Sequence, residues 1–194
     1  MKSIYSWLVL IVSITVFVSS CKSSDDSSSA DTCSGLFIAV GASGTLLTSP
    51  CGTTWTAQTS GTSNYLRSVA YDGSSTLVAV GNSGTILSSS DGTTWTSRTS
   101  GTTNDLNNVS IHSSGSMAAV GDNGTLLISS DGITWADKSS GCGMTGDMWD
   151  IDLSSGSIGV VVGDNGSIYT STDAGDSCTD RNIRSNNFIL PPIL

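Results

Sequence analysis

The sequence predicts an all-β fold assembled from four copies of one unit, and three observations carry that expectation. A Val-Gly pair recurs at Val40-Gly41, Val80-Gly81, Val120-Gly121 and Val162-Gly163, at spacings of 40, 40 and 42 residues. Each pair leads through a short turn, Ala42-Ser43-Gly44, Asn82-Ser83-Gly84, Asp122-Asn123-Gly124 or Asp164-Asn165-Gly166, towards an apolar stretch such as Leu46-Leu47 or Ile86-Leu87. That is a β-hairpin pattern, with Gly supplying the positive φ of the turn. Composition agrees: only 12% of residues are charged, there are 22 Gly, and all 16 acidic residues are Asp. Asp bonds its own backbone in turns whereas Glu favours helix, so no helix is expected.

Two further strands are expected in each repeat. One alternates Leu66, Val69 and Tyr71, then Leu106, Val109 and Ile111, then Met148, Ile151 and Leu153; the other is an apolar run such as Leu77 to Val80 or Gly159 to Val162. Four strands per repeat of about 40 residues match a blade of a β-propeller. The expected fold is therefore a small β-propeller of four four-stranded repeats, with a closed four-bladed ring favoured over an open or truncated arc. The first repeat begins near Leu36 and lacks an innermost strand, and Phe188 to Leu194 stands in the register of the missing one. Pro191 and Pro192 in that segment remove ladder donors, which an edge strand tolerates best.

A second turn motif recurs after each hairpin. Ser89-Ser90-Asp91-Gly92-Thr93-Thr94-Trp95 and Ser129-Ser130-Asp131-Gly132-Ile133-Thr134-Trp135 are nearly identical. The first copy has Cys51, Gly52 and Trp55 at the corresponding places, and the last has Asp173, Gly175 and Cys178. These segments resemble the Asp-box, or BNR repeat, Ser-x-Asp-x-Gly-x-x-Trp; the middle copies lack one residue between Asp and Gly. In such a turn the carboxylate accepts backbone N–H groups and the Trp ring seals the hairpin, so it is a fold element. The resemblance covers residues 34 to 194 and extends to sialidase-like propellers and to bacterial relatives of photosystem II assembly factors. It implies fold only. Those relatives usually carry six or more blades. A sialidase would also need three clustered Arg, a Tyr nucleophile with a Glu partner, and an Asp acid, whereas Glu is absent and Arg67, Arg98, Arg181 and Arg184 fall at scattered repeat positions.

The first thirty residues concern address. Lys2 precedes an apolar run ending in Ser19-Ser20, which reads as an export signal over residues 1–20. Val18-Ser19-Ser20-Cys21 resembles a bacterial lipobox, implying cleavage before Cys21 and lipidation of its thiol. Residues 21–32, rich in Ser and Asp, then form a flexible tether to a domain over 33–194. Lys22 after the Cys favours the outer membrane. In an exported domain Cys33, Cys51, Cys142 and Cys178 are candidate disulfide partners. Folding the first hairpin about Ser43 favours Cys33 with Cys51 and leaves Cys142 with Cys178, out of three connectivities.

No cofactor or metal site is expected, since His112 is the only His, reads as an exposed turn residue, and no cysteine pair has zinc-ligand spacing. The Asp-Asn pairs 122–123 and 164–165 are hairpin turns and not calcium ligands. A net charge of -9 without a basic run excludes nucleic acid. What remains is a non-enzymatic binding module for an envelope or extracellular protein or glycan. Its loops would be Thr59 to Tyr65, Thr99 to Asp105 and Ser139 to Asp147, the last made distinctive by Cys142, Met144 and the nearby Trp149. The alternative is a small glycan-directed hydrolase using Asp150 and Asp152, which lie on one side of a strand.

Overall fold

The computed structural model describes residues 35–154 and 158–181. The signal segment 1–20, Cys21 with its tether, Cys33, Arg184 and Phe188 to Leu194 lie outside the described residues. The chain forms four antiparallel sheets in sequence order. The first holds β1 (Phe37–Val40), β2 (Leu46–Ser49) and β3 (Thr56–Ala57); the second holds β4 (Leu66–Tyr71), β5 (Leu77–Gly81), β6 (Thr85–Ser89) and β7 (Thr96–Arg98). The third holds β8 (Leu106–Ile111), β9 (Met117–Gly121), β10 (Leu126–Ser129) and β11 (Ala136–Asp137). The fourth holds β12 (Met148–Leu153), β13 (Ile158–Gly163), β14 (Ile168–Thr170) and β15 (Thr179–Asp180). Each strand pairs with the next as in a propeller blade, and the described part of the first blade has three strands.

Side chains alternate across each strand, so one blade contributes to two seams. Ile38, Val40 and Leu46 of the first blade meet Leu66, Val69, Leu77, Ala79 and Leu87 of the second. Val78, Val80 and Ile86 repeat the first set against Leu106, Val109, Met117, Ala119 and Leu127. Ala118, Val120 and Leu126 repeat it again against Met148, Ile151, Val161 and Tyr169. The run Leu77 to Val80 is apolar without alternation because β5 is covered on both faces, and each of these residues is no more than 1% exposed.

Among the described residues there are three seams and no core joins the fourth blade to the first; Phe188 to Leu194, the segment expected to close the ring, lies outside them. Val160 and Val162, which repeat Ala118 and Val120, are 42% and 37% exposed, no described residue covering that face.

The turns add two corrections. In the hairpin turns the positive φ begins one residue before the Gly, at Ser43, Ser83, Asn123 and Asn165, with φ between 55° and 56°. Asn and Ser enter this region more readily than bulkier residues because their short polar side chains bond locally. A single helical turn, α1 (Ser139–Cys142), also forms where no helix was expected. Asp137 Oδ1 accepts the Ser139 N–H at 2.8 Å there, and Gly143 closes the turn in the left-handed region.

The Gly of the Val-Gly pair has a different origin from the turn glycines. Gly81 and Gly121 are extended, but a Cβ on either would stand 2.0 Å from the carbonyl oxygen of Tyr65 or Asp105, where the chain enters the blade. Gly121→Ala is therefore expected to destabilise the fold by about 3 kcal/mol, the cost of overpacking a closed site. Ile86→Ala should cost about 2–5 kcal/mol, the usual range for a buried Ile, while Val162→Ala on the uncovered face stays below about 1 kcal/mol. Urea unfolding of the three variants measures all three.

Candidate interaction surface

Each blade has two ends. The Asp-box turns lie at one, after the third strand; the hairpin turns and the inter-blade loops share the other. The loops are bonded to the turns on either side. Gly44 N donates to Asn64 O at 2.8 Å and Asn82 N to Tyr65 O at 2.9 Å, and Gly124 N to Gly146 O at 2.6 Å and Asp164 N to Asp147 O at 2.8 Å. The C-terminal ends of the three loops named from the sequence thus lie on one rim, held by backbone bonds, while the start of the third reaches the fourth Asp-box turn through Cys142.

The side chains aimed at this rim come from a position that repeat comparison passes over. Leu66 pairs with Gly81 and Ser68 with Val80, so Arg67 is the extra residue of a β-bulge; Asn107 and Trp149 occupy the same bulge in the next two blades. A bulge re-aims its side chain, here towards the first hairpin-turn residue of the same blade. Arg67 Nε donates to Asn82 Oδ1 at 2.6 Å, Asn107 Nδ2 to Asp122 Oδ1 at 3.0 Å, and Trp149 Nε1 to Asp164 Oδ1 at 2.7 Å. Arg67 also reaches the next blade, donating through Nη2 to Asp105 Oδ2 at 2.6 Å and through Nη1 to Asn107 Oδ1 at 3.0 Å. Its guanidinium stands over the Tyr65 ring at 5.9 Å from the centroid, a cation–π distance. Asn107 continues the row to Met148 O at 2.9 Å. Trp149 ends the row, pinned through its ring nitrogen yet 48% exposed. An exposed aromatic held in place at one end of a hydrogen-bonded row, with an Arg at the other, supplies two side-chain types enriched at protein contacts.

Asp150 and Asp152 lie on the uncovered sheet face of the fourth blade, opposite Val162 and Val160 in the β12–β13 register. Both are exposed, and Asp150 Oδ1 accepts the N–H of Ile151. In the second blade the same positions are Ser68 and Ala70, buried under the third, and Ser68 Oγ accepts the Val109 N–H at 3.4 Å. Arg98 and Arg181, read as scattered, are equivalent: each lies three residues beyond the Trp position and donates from Nε to the third strand, at 2.7 Å to Ser88 Oγ and 3.3 Å to Thr170 Oγ1. Gln58 does the same to Thr48 Oγ1 at 2.8 Å. His112 is half-buried in a turn, where its Nδ1 accepts the Ser114 N–H at 3.1 Å, which requires the proton on Nε2.

At the opposite end, Asp91 Oδ1 accepts the N–H groups of Thr93 and Thr94 at 2.8 and 2.7 Å, and Asp131 those of Ile133 and Thr134 at 2.8 Å each. Gly52, Gly92, Gly132 and Gly175 each donate an N–H to the Ser that opens the turn. Trp55 and Trp95 donate from Nε1 to the carbonyls of Gly52 and Gly92 at 3.1 and 3.0 Å. Trp135 packs in the same place, with its ring nitrogen buried and unbonded. Cys51 replaces the Asp of the first copy and is not bridged to any described cysteine. The fourth copy accommodates its additional residue as Ala174 at φ 55°, and Cys178 is bridged to Cys142.

The model of the family described as photosynthesis system II assembly factor YCF48 matches residues 26–172. The chain belongs to that family. No curated protein matches it. Among solved structures, a YCF48 bound to a D1 peptide superposes with a TM-score of 0.59 at 20% identity, covering 77% of this chain and 52% of that one. YCF48 from Cyanidioschyzon merolae gives 0.56 at 15% identity, covering 78% and 53%. These likenesses establish a shared fold, and the chain spans about half the length of either YCF48 structure.

The turn carboxylates set an acid limit. The Ser177 hydroxyl and N–H, with the Ser171 hydroxyl, hold Asp173 at about 2 against an ordinary 3.8. For Asp72, burial pushes upward but is outweighed by the N–H groups of Thr76, Ser74 and Ser75, which hold it at about 2. Asp91 and Asp131 are lowered too, chiefly by the Thr94 and Thr134 N–H groups. A carboxyl depressed on folding stabilises above its unfolded pKa and loses that contribution as pH falls through the folded one. The melting temperature should therefore fall as pH drops from about 4 to about 2, and Asp91→Asn should make that fall shallower.

Proposed function

We propose that this chain is a non-enzymatic module that binds a partner polypeptide across the rim of bulge-presented side chains, Arg67, Asn107 and Trp149. The observation that carries the reading is the exposed indole of Trp149, fixed to Asp164 at 2.7 Å at the end of a hydrogen-bonded row. An anchor already immobilised loses little entropy on binding. Membership of a family described as assembly factors, and a fold neighbour seen with a D1 peptide, support a polypeptide over a glycan as the ligand. The exposed Asp150 and Asp152 occupy a sheet face, which supports binding over hydrolysis.

The address belongs to the same proposal. Cleavage before Cys21 and lipidation of its thiol place the module at the cell envelope, on the outer membrane, with residues 21–32 as tether. The Cys142–Cys178 bridge supports an oxidising compartment.

A photo-crosslinking residue at exposed Thr145, on the loop that leads to Trp149, should give a discrete adduct with an envelope protein in cells, and one at exposed Ile133, on the Asp-box end, should not. Arg67→Ala should reduce the adduct several-fold. Equal adducts from both positions would remove the rim from consideration. Intact mass of detergent-extracted protein tests the address separately: a chain beginning at Cys21 with acyl groups is expected, and Cys21→Ala should lose them.

A further inference from the structure

Arg67 is the cation of the bulge-presented row, and it is already paired. Its guanidinium lies between the second and third blades, donating to Asn82, the first hairpin-turn residue, and to Asp105, the residue before the next inner strand. The Asp105 carboxylate is divided between two partners: Oδ1 accepts the Ser83 N–H at 2.8 Å and Oδ2 accepts the guanidinium at 2.6 Å.

The same framework recurs between the third and fourth blades without the cation. Asp122 stands where Asn82 does, and Asp147 where Asp105 does. Asp147 Oδ1 accepts the Asn123 N–H at 3.0 Å, the bond that Asp105 makes to Ser83. Its Oδ2 is therefore the counterpart of the oxygen that Arg67 binds, and it has no hydrogen-bond partner among the described residues. The bulge residue here is Asn107, neutral, shorter than Arg and 9% exposed, whose amide stops at Asp122 Oδ1 and Met148 O. In the neighbouring bulge Trp149 stands where Asn107 flanks Arg67, and it offers an exposed ring. Asp122 and Asp147 form no ion pair among the described residues. Two such carboxylates alone would be a solvated surface; what points to a ligand is the counterpart one blade earlier, which holds a guanidinium on the same framework. The exchange of Asn82 for Asp122 adds a negative charge and that of Asn107 for Trp149 adds a ring face, and both favour a cation.

We propose that the rim between the third and fourth blades binds an arginine side chain of the partner polypeptide, its guanidinium bridging Asp122 and Asp147 beside the Trp149 indole. Arginine suits the place better than lysine because its planar fork bonds two acceptors at once, as Arg67 does across Asn82 and Asp105. The net charge of -9 draws a basic segment towards this surface. The proposal rests on the rim as a polypeptide contact for the source of the arginine, and it names the chemistry that the partner must present.

The test has two arms. In the first, the oxidised full chain, labelled with nitrogen-15 and held in detergent, is titrated at constant ionic strength with N-acetylargininamide, with the neutral N-acetylcitrullinamide and with N-acetyllysinamide. Shifts of the Asn123 and Asp147 amides and of the Trp149 ring N–H should saturate about five-fold more tightly with the arginine amide than with the citrulline amide, the scale of a partly exposed ion pair with a cation–π contact. Asp122→Asn with Asp147→Asn keeps an acceptor oxygen at each position and should remove the preference. Asn107→Arg supplies the chain's own guanidinium and should remove it as well. Equal binding of the citrulline amide, or a preference that survives the Asn pair, would overturn the proposal, and equally tight binding of the lysine amide would overturn the assignment to a guanidinium. In the second arm, the Asn pair should lower the Thr145 crosslink in cells several-fold. An undiminished crosslink would overturn the arginine while leaving the rim in place; no crosslink from the unaltered chain would remove the rim as a polypeptide contact, and with it the partner as the source of the arginine.

Discussion

Apolar packing across the seams is the interaction on which the rest of the molecule depends. A four-stranded sheet has two faces, and a blade of about 40 residues has too few to bury either on its own. Stacking solves this by giving each blade a neighbour whose inward residues repeat its own: Ile38, Val78 and Ala118 do the same work at three successive seams. The turn chemistry follows from that arrangement. Asp-box turns are tight because they must lie flat against the preceding blade, which is why Gly92 and Gly132 are buried and Gly52, before which no blade is described, is exposed.

The rim depends on the same packing through a second constraint. Strands must enter each blade close to the preceding hairpin, and the close approach at Gly81 and Gly121 leaves no room for a Cβ. The backbone responds with a bulge, and the bulge presents a side chain that the seam does not need. Arg67, Asn107 and Trp149 are therefore released from packing duty while their framework is held constant, the condition under which side chains can vary in chemistry without cost to the fold.

Much of this was legible in the sequence because repetition is visible wherever the same physical demand recurs. The four Val-Gly pairs, the strand positions and the three Asp-boxes with Asp all reflect a demand that does not vary between blades. The bulge position was not legible for the converse reason: Arg, Asn and Trp share no property that self-similarity detects, although a residue 15 places before each hairpin-turn residue that it bonds was a signal in principle. Arg98 and Arg181 were misjudged because the extra residues of the fourth repeat shift its register, and only the back-bond to the third strand restores the equivalence. The pairing of Asp150 with Asp152 was read correctly as one face, but which face was covered depends on whether a blade follows, a property of the whole array. Helix α1 was missed because it spans a single turn, stabilised by Asp137.

The bridge between Cys142 and Cys178 encloses β12, β13 and β14 in one covalent loop, with a sequence separation of 36. In a linear array whose units touch only their neighbours, the terminal units fray first, since each has lost one of its two interfaces. A loop of this length removes about 3–4 kcal/mol of denatured-state entropy in the chain-entropy account, and it does so for the blade whose outer face no described residue covers. Fraying is thereby biased to one end. Amide protons of the first blade should exchange with solvent through small openings, whereas those of the fourth require either a larger excursion of the array or reduction of the bridge, which makes local opening at that end answer to the redox state of the surroundings.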